Sequence, residues 1–112
     1  MFDKTQLKVL DKATVREIAE KYAEEVKKVL NPTAIVIFGS YVNGNPHEWS
    51  DIDIAVIVHD FQGNWLEVGA MLCGMSREIS LDIEPHLLDE TCDRSGFVEH
   101  VMKTGEFIYK VA

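Results

Sequence analysis

Apolar and polar residues recur along this chain with a period that changes from block to block, and each change of period marks an element. After Thr14, the residues Ile18, Ala19, Tyr22, Ala23, Val26, Val29 and Leu30 return every three or four positions. That spacing gathers side chains on one face of a helix. Thr14-Val15-Arg16-Glu17 has the spacing of a capping box, so Thr14 is the expected N-cap. Asn31-Pro32 stops the helix, because proline has no N–H to continue the hydrogen-bond ladder. "AIVIF", Ala34 to Phe38, is a β-branched run that predicts a buried strand ending at Gly39. "IDIAVIV", Ile52 to Val58, is nearly all apolar, as a central strand covered on both faces should be.

Asn64 is the expected cap of a helix reaching about Ile79, with Trp65, Leu66, Val68, Met71, Leu72 and Met75 along it. Core packing is the ordinary reading of these residues, and an adaptable partner face is the alternative. "SLDIEPHLL" sets Leu81 and Ile83 against Asp82 and Glu84, the alternation of a third strand, with Pro85 placing its far end at a sheet edge or at the exit from the sheet. Ser95 opens a last helix with Phe97, Val98, Val101 and Met102 on one side, and Gly105 stands where a left-handed C-cap belongs. "EFIYKV" closes the chain as a short strand. The order is helix, strand, helical turn, strand, helix, strand, helix, strand. It predicts an α/β (α+β) fold, a small mixed central sheet of about four strands with helices packed on it.

A length of 112 residues fits one domain, spanning 1–112. The longest apolar runs are of strand length, well short of the ~20 residues of a membrane span. The opening "MFDKTQLKVLDK" mixes charges and lacks the apolar stretch of a signal peptide, so the expected location is the cytoplasm. Nineteen acidic residues against eleven basic give a net charge of −8. Non-specific binding of nucleic acid needs a basic surface, so a bulky nucleic-acid partner is not expected. Lys27 and Lys28 share their helix with Glu20, Glu24 and Glu25 and read as a solvated face. Cys73 and Cys92 have no ligand spacing and read as reduced thiols.

Two aspartates depart from the apolar pattern. Asp51 alone would pass for a turn residue before a strand, but Asp53 lies inside one, where an unpaired carboxylate is costly. Alternation puts Asp51 and Asp53 on one face of the second strand, and Asp82 and Glu84 on one face of the third. If those strands are neighbours, three or four carboxylates converge and raise one another's pKa. A hard, oxygen-seeking divalent ion would relieve the repulsion. Gly39-Ser40 ends the first strand in a turn whose free N–H groups and hydroxyl suit a phosphate. Together these features describe a triphosphate held beside a metal pair. His47 and Trp49, in the loop before the aspartates, could meet a base or an acceptor but read first as surface residues. His59, His86 and His100 show no ligand spacing and read as ordinary surface or core histidines.

Gly39-Ser40, ten residues, then Asp51-Ile52-Asp53 resembles the signature of the DNA polymerase beta-like nucleotidyltransferase superfamily. Within it the chain is similar to the minimal nucleotidyltransferases. The resemblance covers essentially the whole chain, including Asp82 in "LDIEP" and the closing "FVEHVMKTGEFIY". It implies the polymerase beta-like fold and Mg²⁺-dependent transfer of AMP from ATP to an acceptor hydroxyl, with two metal ions in the site. By the same resemblance Gly39 and Ser40 hold the triphosphate, and Asn43 stands where many relatives carry a basic residue. Asp51 and Asp53 hold both metals. Asp82 holds the catalytic one and orients or deprotonates the incoming hydroxyl, with Glu84 able to substitute for it or support it.

Larger members of the superfamily carry a further domain for the acceptor, so a chain this short is expected to meet its acceptor on a partner protein. Minimal nucleotidyltransferases are known as antitoxins of small helical HEPN-domain toxins, which they neutralise by attaching AMP to a tyrosine. The resemblance therefore implies an antitoxin with a HEPN-type partner. Two alternatives share its fold: a partner-binding module without catalysis, and an enzyme acting on a small-molecule hydroxyl, as antibiotic-inactivating relatives do.

Overall fold

A computed structural model of the chain describes residues 10–43 and 51–111. The side chain of Asn43, and His47 and Trp49 in the loop that follows, lie outside the described residues. The elements are α1 (Lys12–Val29), β1 (Ala34–Phe38), α2 (Ser40–Asn43), β2 (Ile52–Val58), α3 (Trp65–Ile79), β3 (Ile83–Asp89), α4 (Phe97–Thr104) and β4 (Glu106–Lys110). They follow the order the pattern predicts, with one added 3₁₀ turn at Glu90–Cys92.

The four strands form one sheet in the order β3-β2-β1-β4. β1 runs antiparallel to both β2 and β4, while β2 and β3 are parallel, so the sheet is mixed. Ile35, Ile37, Ile52, Ile54 and Val56 face a core completed by Val15, Ala19, Tyr22, Ala23 and Val26 of α1 and Leu72 of α3. The Tyr22 hydroxyl is fully buried there and donates to the Leu72 carbonyl at 2.9 Å, which satisfies both groups. On the opposite face Ala34, Val36, Ala55 and Ile57 pack against Val98 and Val101 of α4. β2 is thus central and covered on both faces, which accounts for its unbroken apolar run.

Four local expectations change. α1 is capped by Asp11, whose carboxylate accepts from the Thr14 N–H at 2.7 Å, and it begins two residues ahead of Thr14. Aspartate is the stronger cap, and both candidates lie within one turn. Pro85 lies inside β3 rather than at its end, which is tolerated because β3 is an edge strand and needs donors on one side only. Gly105 is extended, at φ −83° and ψ 172°, not left-handed. Space is what requires glycine there, since a Cβ would lie 2.6 Å from the Val101 carbonyl oxygen and 2.7 Å from that of Ile37. Finally, α3 buries only Leu72 and Ser76 and leaves Trp65, Leu66 and Met71 exposed, Leu66 by 83%. Among the described residues no helix is long and apolar enough to cross a membrane.

Candidate active site

The site forms where β1 ends and β2 and β3 begin, on the α4 side of the sheet. Asp53 is the second residue of β2, paired in register with Phe38 of β1 and Glu84 of β3. Strand alternation turns it to the same side as Ala55 and Ile57, beyond the reach of the α4 core residues. Glu84 and His86 follow the same alternation on β3.

Between β1 and α2 the backbone turns through Gly39 at φ +81°, a left-handed conformation that side chains with a Cβ rarely adopt. A Cβ there would also collide with the Asp53 carboxylate, so the absent side chain makes room for it. The turn is closed by the Val42 N–H donating to the Gly39 carbonyl at 3.0 Å.

One ligand atom each from Asp53, Glu84 and His86 lie within 4.8 Å of one another. The imidazole Nε2 of His86 stands 3.2 Å from Oδ1 of Asp53, with both side chains partly buried. Phe38 packs edge-on against His86 with ring centroids 5.0 Å apart, and Phe97 of α4 packs edge-on against Phe38 at 5.6 Å. These ring contacts brace the imidazole on one side.

The electrostatics express the crowding. Burial pushes the Glu84 carboxyl above its ordinary value, the Asp53 charge pushes it further, and a hydrogen bond with Asp51 adds to both. The His86 charge acts the other way. His86 itself is held above its ordinary value by its hydrogen bond to Asp53, with the charges of Asp53 and Glu84 adding, against the opposing effect of burial. Three carboxylates and one imidazole therefore crowd one patch, and with the imidazole neutral its nitrogen and the carboxylate oxygens form a donor set suited to a divalent metal ion.

Among the expected residues, the structure brings together Asp51, Asp53 and Glu84, next to Gly39 and Ser40. Asn43 is the last residue of α2. Asp82 is not among the three residues whose ligand atoms meet, which are Asp53, Glu84 and His86. It precedes β3, is exposed, takes its N–H to the Ser80 hydroxyl at 3.1 Å and has Oδ2 3.5 Å from that hydroxyl. Its carbonyl accepts the Ile52 N–H at 2.7 Å, tying the start of β2 to the chain entering β3.

His86, expected as an ordinary histidine, belongs to the cluster. Ligand spacing searched along the chain does not reveal it, because its partner Asp53 is 33 residues away. The available signal was its place two residues beyond Glu84, on the same strand face.

The family model described as "Polymerase beta, Nucleotidyltransferase" matches residues 20–111. A candidate protein adenylyltransferase of Methanocaldococcus jannaschii is 45% identical over 42 residues, 38% of this chain and 49% of that protein. The match thus spans about half the length of that relative. A crystal structure described as a candidate nucleotidyltransferase from Sulfolobus solfataricus superposes with a TM-score of 0.64 at 25% identity, over 88% of this chain and 82% of that one. A toxin–antitoxin structure with AMP-PNP gives 0.58 at 26% identity, over 82% and 73%. A complex of a tri-AMPylated Shewanella oneidensis HEPN toxin with its MNT antitoxin gives 0.57 at 20% identity, over 86% and 73%, a likeness of fold. With its strand order, its left-handed glycine turn and its paired aspartates, this chain belongs to the polymerase beta nucleotidyltransferase family.

Proposed function

We propose that this protein is a Mg²⁺-dependent protein adenylyltransferase, transferring AMP from ATP to a hydroxyl of a HEPN-type toxin whose antitoxin it is, in the cytoplasm. The observation that carries the reading is Asp53, a carboxylate inside an otherwise apolar central strand, set against Glu84 and the left-handed Gly39 turn. The match to a candidate protein adenylyltransferase supports the reaction, and the toxin–antitoxin structure with AMP-PNP supports the nucleotide. The complex with an AMPylated HEPN toxin supports the partner. The exposed apolar residues of α3 supply a surface suited to such a protein.

In this reading Gly39 and Ser40 receive the triphosphate on backbone N–H groups and the serine hydroxyl, and Asn43 is the neutral residue at the position where many relatives carry a basic one. Asp53 of β2 and Asp51 just ahead of that strand would hold the magnesium ions. Glu84 is the third carboxylate by its register opposite Asp53, with Asp82 two positions behind it as the other acidic residue of that face. When bound, the ions lower the pKa of the attacking hydroxyl and neutralise the departing pyrophosphate.

The test is Asp53→Asn, purified with its partner and supplied with ATP. The expected result is loss of transfer by at least about a hundredfold with an unchanged circular dichroism spectrum, as befits removal of a charge-stabilising group. Transfer at the wild-type rate would end this reading.

A further inference from the structure

His86 is the part of the cluster that the proposed reaction does not use. We propose that His86 is a metal ligand beside Asp53 and Glu84, and that this nitrogen makes the site select Mn²⁺ over Mg²⁺ at equal concentration. The inference rests on the reading of this cluster as the metal site and goes beyond it by assigning a ligand and a selectivity.

The geometry meets what ligation requires. Nε2 of His86 and Oδ1 of Asp53 stand 3.2 Å apart. Adjacent ligands on an octahedral ion with bonds of about 2.1–2.2 Å are about 3 Å apart, so both atoms can reach one ion with little movement. Glu84, in register with Asp53 on the neighbouring strand, offers its oxygen to the same space. Phe38 lies against the imidazole and holds it toward Asp53. All three residues are on strands, so their relative positions are set by the sheet.

Selectivity follows from donor chemistry. Mg²⁺ is hard, holds its waters tightly and is served by carboxylates and phosphates. An imidazole favours a first-row transition ion, and two carboxylates keep the site within the range of Mn²⁺. Transfer can still run on Mg²⁺ where that ion is abundant; the selectivity concerns which ion the chain itself prefers.

The experiment uses the full chain with Mn²⁺ alone. Pulsed electron paramagnetic resonance of bound Mn²⁺ should show a directly coordinated nitrogen in the wild type that vanishes in His86→Asn, which keeps a polar side chain of similar reach. By calorimetry, wild type should bind Mn²⁺ at least about tenfold more tightly than Mg²⁺, and His86→Asn should lose most of that ratio by weakening Mn²⁺. An absent nitrogen coupling, an unchanged ratio in a folded His86→Asn, or no Mn²⁺ binding would each overturn the inference. Label transfer from ATP to the partner, run in parallel, separates the two claims. Transfer without nitrogen coupling overturns the ligand assignment alone, whereas coupling without transfer supports it and overturns the adenylyltransferase reading.

Discussion

Gly39 shows how one residue joins the fold to the site. Its φ of +81° would cost a residue with a Cβ about 1–2 kcal/mol, and that Cβ would also meet the Asp53 carboxylate. Gly39→Ala is therefore expected to lower stability by at least about that amount and to displace Asp53, weakening metal binding as well. Denaturant unfolding with parallel Mn²⁺ calorimetry checks both, and a variant as stable as wild type with unchanged metal affinity would show the turn to be free of the constraint. The proposed role of Glu84 as the third carboxylate is tested at the same scale. Glu84 is raised by burial and by Asp53, while Asp82 turns toward Ser80. Glu84→Gln should slow transfer by about a hundredfold, the usual scale for one electrostatic contact, and Asp82→Asn should slow it less. The reverse order in steady-state rates would return the role to Asp82.

At the scale of elements, helix ends and loops are fixed by single carboxylates. The Asp11 carboxylate caps α1 by accepting the Thr14 N–H, so Asp11→Ala should lower the midpoint of thermal unfolding, whereas Thr14→Ala should leave it nearly unchanged. The last residue of β3, Asp89, accepts from the Asp60 N–H at 3.1 Å, the Phe61 N–H at 2.8 Å, the Thr91 N–H at 2.9 Å and the Thr91 hydroxyl at 2.6 Å. The Thr91 hydroxyl, followed by the Phe61 N–H, does most to hold its carboxyl down at about 2. A depressed carboxyl stabilises the fold fully above its unfolded value near 4 and loses that contribution as pH falls through its folded value. Stability should thus decline between about pH 4 and pH 2, and Asp89→Asn should flatten that part of the profile. Denaturant midpoints measured across this range decide it; an unchanged slope in the variant would place the acid sensitivity elsewhere.

For the molecule as a whole, the sequence pattern carries the element order because each block has its own period, and β2 stands out because both faces of it are buried. Asp53 was legible for the opposite reason, as a charge that breaks an apolar run. The choice of Glu84 over Asp82 for the place opposite Asp53 was not legible, since register between parallel strands depends on the crossover through α3 and not on local pattern. His86 stayed hidden for the same reason, its partner being distant in the chain. Nor did periodicity reveal that α3 keeps Trp65, Leu66 and Met71 outside the core, because an apolar residue reads alike whether the sheet or another protein covers it.

The central claim is the class of reaction at the Asp51–Asp53 edge, and the position of the transferred phosphorus tests it most directly. The protein and the HEPN-type toxin proposed as its partner would be supplied with metal and ATP labelled at the α-phosphate in one sample and at the γ-phosphate in another, each beside Asp51→Asn/Asp53→Asn. Nucleotidyl transfer predicts label on the partner from the α-position only, and only with both aspartates intact. Label arriving from the γ-position, or α-label surviving the loss of both aspartates, would contradict the account.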